Sequence, residues 1–132
     1  MKKLLFLLNF KRGIFVNRNK KIFIIVIWIL IIGLILTPFI YVEGNKFIYK
    51  NKVMNYLVEE KGYKEKEIQL VEGVWGVKLP PFFTRVIFEN EPYVEYIYFA
   101  HDDIIQFEYS LTEEGIQKGI TEKDLKNYES SN

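Results

Sequence analysis

The chain has 132 residues, 49% of them apolar and 17% aromatic, which is about one domain's length with an unusual supply of rings. Its net charge is only +1, but the first 21 residues hold seven basic and no acidic side chains, whereas the eleven basic and seventeen acidic residues after position 42 give that part a net −6. An acidic C-terminal part excludes a strongly basic nucleic-acid binder, and the absence of cysteine excludes a disulfide framework, a thiolate metal site, a cysteine nucleophile and a lipid-modified cysteine.

Residues 1–21 read as a basic cytoplasmic segment. The apolar stretch at residues 4–8 is too short to span a bilayer. With Phe10, Ile14, Phe15 and Val16 it forms either a short segment lying in the inner interface or part of a disordered basic tail, and a start codon placed too far upstream also fits.

Residues 22–42 follow without a single charge. Twenty-one helical residues at 1.5 Å each span about 30 Å, the thickness of a bilayer's hydrocarbon core. Sixteen of them are Ile, Leu, Val or Phe, and at about −0.3 to −0.6 kcal/mol each their insertion is favoured by roughly 5 to 10 kcal/mol. The segment is predicted to be a transmembrane helix. Arg18, Lys20 and Lys21 stand before it, Tyr41 sits at interface depth, and Pro38 lies close to the far end, where a missing hydrogen bond costs least. The charge step places the N-terminus in the cytoplasm and the C-terminal part outside. A cleaved signal peptide would have a shorter apolar core and a small-x-small site, and residues 37–45 offer none.

Glu43-Gly44-Asn45 reads as a short break. An amphipathic helix of about four turns follows, capped by Asn45 and stopped by Gly62, with Phe47, Met54, Leu57 and Val58 near one face and Ile48 at its edge. Strands are predicted at residues 67–77, where Gly73 and Gly76 suggest a bulge or bend, at 83–90 and at 93–100, with Ile105, Phe107 and Tyr109 completing a fourth. In the second strand Thr84, Val86 and Phe88 oppose Arg85 and Glu89; in the third Val94, Tyr96, Tyr98 and Ala100 oppose Glu95, Ile97 and Phe99. The turns fall at residues 78–81, at Glu91-Pro92 and at His101-Asp102-Asp103. Strands so closely joined pair as an antiparallel meander, so the fold class is α+β: one N-terminal transmembrane helix, then a small domain at 46–110 with one amphipathic helix packed on a four-stranded antiparallel meander. A tail at 111–132 carries a capping-box start at Thr121-Glu122-Lys123-Asp124, a short helix ending near Tyr128, and frayed residues 130–132.

The order of span, amphipathic helix, the segment KGYKEKEI and then FENEPYVEYIY resembles a family of small membrane proteins of low-GC Gram-positive bacteria, grouped as a domain of unknown function. The likeness covers about residues 46–109, marked by Gly62-Tyr63 and Glu91-Pro92, and departs from the family pattern in the basic N-terminus and the tail. The resemblance implies a cell-membrane location and carries no activity, cofactor or catalytic residue.

His101-Asp102-Asp103 is the cluster with metal-ligand or acid/base character, but adjacent side chains in a hairpin rarely converge and Asp and His are ordinary turn residues. Glu59-Glu60 and Glu65/Glu67 read as a solvated surface offset by Lys61, Lys64 and Lys66. No catalytic, cofactor-binding or metal site is therefore assigned, and no cofactor. Trp75, Phe83, Tyr93, Ile97 and Phe99 exceed what one sheet face needs; they either bind a partner, a peptide strand or a wall glycan, or pack against the tail or the membrane surface. The expected function is a non-enzymatic, membrane-anchored, extracytoplasmic interaction or regulatory module, whose partners are the lipid bilayer and another membrane or envelope protein, not nucleic acid. The alternatives are an envelope hydrolase or transferase using His101 and nearby carboxylates, and a precursor of a secreted product.

Overall fold

The structure, a computed structural model, describes residues 1–78 and 80–129, and their side chains except those of residues 6–17. The chain forms two compact units, Met1–Ile40 and Tyr41–Asn132. The first is helical, and its helix, α1 (Lys2–Asn55), continues into the second. Every residue of 18–41 is exposed. A core helix of a soluble protein buries at least one stripe, yet none of the apolar window here is buried, and the helix is long and apolar enough to cross a membrane. The question of an interfacial segment near residues 4–16 falls mostly on side chains outside the described ones.

The expected break at Glu43-Gly44-Asn45 does not occur: all three are helical. Asn45 is not a cap, because its Nδ2 donates to the Tyr41 carbonyl one turn back at 2.7 Å. Lys46 pairs with Glu43 across one turn at 3.0 Å. Pro38 is consequently a helix-interior residue rather than a near-terminal one, and it offers the Leu34 carbonyl no donor. Beside it, Thr37 Oγ1 donates to the Gly33 carbonyl at 2.7 Å.

The helix ends as the glycine signal predicts. Residues Tyr56–Glu60 widen into a π turn, in which Lys61 N bonds the Tyr56 carbonyl at 3.0 Å. Gly62 then takes φ +77°, and Tyr63 N reaches back to the Leu57 carbonyl at 2.9 Å. The buried stripe is rotated from the expected one. Tyr49, Val53 and Leu57 face inward, while Phe47 and Ile48 are 65% and 50% exposed. At 100° per residue, two positions put Phe47 on nearly the opposite side from Tyr49. Once Tyr49 is inside, Phe47 must be outside.

Strands β1 (Ile68–Trp75), β2 (Phe82–Phe88), β3 (Glu91–Phe99) and β4 (Ile105–Leu111) form a sheet in sequence order, all antiparallel. This is the predicted meander. The inward faces of β2 and β3 are also as predicted: Thr84, Val86, Phe88, Val94, Tyr96, Tyr98 and Ala100 are all buried. The β1 irregularity lies between Ile68 and Leu70 rather than at a glycine. Gly73 has another reason to be there, since a Cβ on it would stand 2.0 Å from the Lys46 carbonyl oxygen of α1. The β2–β3 turn is Glu89-Asn90, so Glu91 belongs to β3, paired with Phe88 and buried. A shift between Ile97 and Tyr98 puts Gln106 opposite Tyr98 and Tyr109 opposite Tyr96; Gln106 is buried, whereas Ile105 and Phe107 are exposed.

One helix about 10 Å wide cannot cover four strands spaced nearly 5 Å apart. The segment after β4 covers the rest. Thr112 caps a short helix, α2 (Glu113–Gln117), by accepting from Gly115 N. The predicted capping box at Thr121 is present, but on a single 3-10 turn, Glu122–Asp124, and the chain is not helical at Tyr128. Leu125 and Tyr128 pack on the core, with Tyr128 edge-on to Tyr109 at 5.2 Å. The frayed end expected at residues 130–132 lies outside the described residues.

Buried tyrosines give this unit an alkaline weakness. Burial pushes the hydroxyls of Tyr96 and Tyr98 well above the ordinary tyrosine range, with the bonded Glu91 carboxylate adding to the first and the Glu129 charge to the second. The unfolded chain releases these protons near pH 10 while the folded one keeps them. The stability from two neutral, bonded tyrosines is thus complete below about pH 10 and is lost as pH rises further, at about 1.4 kcal/mol per pH unit for each. In the full chain in micelles, the last tyrosinate absorbance to develop among the nine tyrosines should appear together with loss of circular dichroism, above the titration of free tyrosine. Ionisation of all nine before circular dichroism changes would contradict this.

Candidate functional site: two concavities at one end of the sheet

The β1–β2 connection at residues 76–81 and the β3–β4 connection at 100–104 lie at the same end of the meander, and α1 reaches the sheet there. Tyr41 stands 5.8 Å from Phe82, ring centroid to centroid, and Tyr49 stands 5.7 Å from it on the other side. Between helix and strand ends is a concavity of about 360 Å³, lined by Tyr41, Asn45, Tyr49, Phe82, Phe99, His101 and the Pro80-Pro81 pair. Its walls are mostly rings, and its polar groups are few. The Tyr49 hydroxyl and His101 Nδ1 are 2.7 Å apart, so a tyrosine that donates leaves the imidazole proton on Nε2. Burial, then the neighbouring Tyr41 and Asp102, raise the Tyr49 pKa, which suits a neutral donor. Lys52 Nζ donates to the carbonyls of Ala100 and His101 at 3.2 and 3.4 Å, fixing this turn to the helix.

A second concavity, about 430 Å³, opens on the sheet face turned away from α1. Phe83, Ile97, Phe99 and Phe107 form its floor, with Gly76, Val77, Lys78 and Pro80 at its rim. Phe99 and Phe107 are 4.5 Å apart. The same face carries Arg85 between Glu72 at 2.5 Å and Glu95 at 3.5 Å. Ile97, opposite Arg85 in β3, and Glu108, opposite Ile97 in β4, carry this row on to the lining of the concavity.

The predicted candidates scatter. His101, Asp102 and Asp103 form an exposed turn. Glu59 and Glu60 are exposed on the π turn at the other end of the unit, and Glu67, beyond Gly62, spends its carboxylate on Lys64 N at 2.7 Å. Among the described residues, no three His, Asp or Glu side chains are placed to hold a metal ion. Of the surplus apolar residues, Phe83, Ile97 and Phe99 meet in the outer concavity. Trp75 pairs with Phe82 at the strand end and is 53% exposed. Tyr93 is taken up by α2, with Lys118 Nζ 3.8 Å from its ring centre. Among the described residues, none of the tail lines the outer concavity.

Sequence reasoning missed a buried polar cluster under the tail. Glu91 accepts from Lys126 N at 2.7 Å, Asn127 N at 3.0 Å, Asn127 Nδ2 at 2.5 Å and the Tyr96 hydroxyl at 2.8 Å. Gln106 Nε2 donates to the Tyr98 hydroxyl at 2.8 Å and the Asn127 carbonyl at 2.9 Å, while its Oε1 accepts from Glu129 N at 2.6 Å. Glu129 closes the group through Lys61 at 2.8 Å and Tyr56 at 3.1 Å, and its carboxylate holds the Lys61 pKa well above the ordinary lysine value. These groups bond to one another and hold the tail, so their role is structural. Alternation gave no signal for it, since Glu91 stands three positions before buried Val94 and Gln106 lies between Ile105 and Phe107.

No curated protein and no solved structure matches the chain. One family model does, over residues 19–98. Its span takes in the apolar run, the helix to its end and the strands up to Tyr98, and leaves out β4 and the tail. Matched over more than half its length, the chain belongs to the family described as "Protein of unknown function (DUF3139)".

Proposed function

We propose that the protein is a single-pass membrane protein of a bacterial envelope, with residues 1–21 in the cytoplasm, residues 22–42 in the bilayer, and the α+β unit outside, where it acts as a non-enzymatic interaction or regulatory module. The observation that carries this reading is the uncharged run at 22–42, exposed nearly throughout and preceded by seven basic and no acidic residues. Exposed to water, such a surface would be driven to aggregate; in lipid it is at home, and its basic flank favours the cytoplasmic side. The non-enzymatic part rests on the placing of His101, Asp102 and Asp103 in an exposed turn rather than in an enclosed site, and on the apolar concavity left open on the outer face.

The test is topological. The full chain should stay in the membrane pellet through a carbonate wash, and protease added to intact, wall-stripped cells should remove a C-terminal epitope. An epitope spared in intact cells and lost after lysis would reverse the orientation. A shortened form in the medium would replace the anchored module with a released product.

A further inference from the structure

The exposed apolar side chains of the α+β unit are not spread evenly. From Tyr41 onward nine large apolar residues are exposed among the described ones, and seven of them lie at one end: Tyr41, Phe47 and Ile48 on α1, Trp75 and Val77 at the β1 end, and Ile105 and Phe107 at the β4 start. Only Leu70 and Ile116 lie elsewhere. Val77 is 96% exposed, far beyond what a turn residue of this kind shows when something covers it. The opposite end is densely charged, with Glu59, Glu60, Glu65, Glu67 and Glu89 exposed among Lys61, Lys64 and Lys66, whereas the charges of the apolar end's β3–β4 turn are Asp102 and Asp103. The apolar end is also where Tyr41 sits, against Phe82, and Tyr41 is one residue from the end of the uncharged run. Phe47 and Ile48 follow it within about 10 Å of helix.

We infer that this end of the unit is seated in the headgroup layer of the phospholipid bilayer, with Trp75, Val77, Ile105 and Phe107 dipping into the interface around the point where the helix leaves the lipid. The inference rests on the anchored reading above. Tryptophan and the aliphatic side chains beside it gain by leaving water at that depth, where amphipathic rings collect. The densely charged end is then kept in water, where its side chains stay hydrated. The two concavities open beside the lipid surface, so whatever they receive arrives along the membrane rather than from bulk solution.

Two tryptophans make the test direct. In the full chain reconstituted in phosphatidylglycerol–phosphatidylethanolamine vesicles, Trp28→Phe leaves Trp75 as sole reporter, and Trp75→Phe leaves Trp28. Trp28 should be quenched by nitroxide placed deep in the acyl chains. Trp75 should be quenched by nitroxide near the headgroup, be blue-shifted, and be severalfold less accessible to iodide than free indole. Adding Val77→Glu and Ile105→Glu, both at exposed positions, should return Trp75 to iodide. If Trp28 is quenched in the bilayer while Trp75 stays open to iodide, the seating is wrong and the anchor stands. If Trp75 is shielded from iodide yet untouched by lipid nitroxide, protein covers this end and the proposal fails. If Trp28 escapes the deep label, the anchored reading falls first and the seating with it.

Discussion

Gly73→Ala should destabilise the α+β unit by about 3 kcal/mol, and Gly73→Val by more, although each adds only apolar atoms to an apolar interface. The new Cβ would stand 2.0 Å from the Lys46 carbonyl oxygen and 2.6 and 2.8 Å from the carbonyl carbon and Cα of the same residue. These are backbone atoms of a helix, which cannot turn aside as a side chain can. To restore ordinary contact the helix must lift from the sheet by more than about 1 Å, and a packed interior resists displacement on that scale. Tyr49, Val53 and Leu57, the residues of α1 that reach the core, would all lose contact together. Gly44→Ala supplies the control within the same helix. Nothing lies within 4 Å of its added methyl, so it should be neutral or stabilise by up to about 1 kcal/mol, as alanine does in a helix interior. Urea unfolding of the full chain in micelles, followed by circular dichroism, separates the two; equal midpoints would refute the close approach of α1 to β1.

Glu91→Ala should cost as much by a different route. Four donors converge on this carboxylate, and the alanine would leave Tyr96 and the amides of Lys126 and Asn127 facing an apolar gap. Each buried donor left without a partner costs about 1–3 kcal/mol, and with partial relaxation the loss should reach about 4 kcal/mol. Much of it would appear as release of the tail, since Lys126 and Asn127 are the residues that Glu91 holds. Amide exchange at residues 125–129 should approach that of unstructured peptide while the centre of β2 and β3 stays protected. Glu91→Gln, which keeps one acceptor oxygen and turns an amide group toward the donors, should fall between alanine and the parent. Unchanged protection of the tail in the alanine variant would show that Leu125 and Tyr128 suffice to hold it.

The elements easiest to read from the residues were those whose partners are near in sequence. Alternation of β-branched and aromatic residues defined β2 and β3 and their inward faces, and Gly62 marked the end of the helix because only a residue free to take positive φ closes it so. The helix face was misjudged because tyrosine is both apolar and polar. With Tyr49 counted as a core residue, Tyr49, Val53 and Leu57 form an unbroken stripe and Phe47 falls outside. In β4 the apparent alternation Ile105, Phe107, Tyr109 is broken by the shift between Ile97 and Tyr98, which is a property of the pairing and not of either strand alone. The same holds for Gly73, whose cause lies 27 positions earlier, at Lys46. Of the site, the aromatic surplus was legible, but its division between the outer concavity, α2 and the strand end depended on where the tail went.

That tail has a consequence for the making of the protein. The sheet can pair strand by strand as it emerges, because each strand finds its neighbour next in sequence. The carboxylate of Glu91 and the amide of Gln106 cannot be sealed until residues 125–129 have been made. Until then the sheet shows water a half-bare face with polar groups set among rings. A product cut short before Leu125 would remain in that state, open to proteases, whereas a chain that reaches residue 129 closes it. The last five described residues thus act as the lock on a core that helix and sheet alone leave ajar.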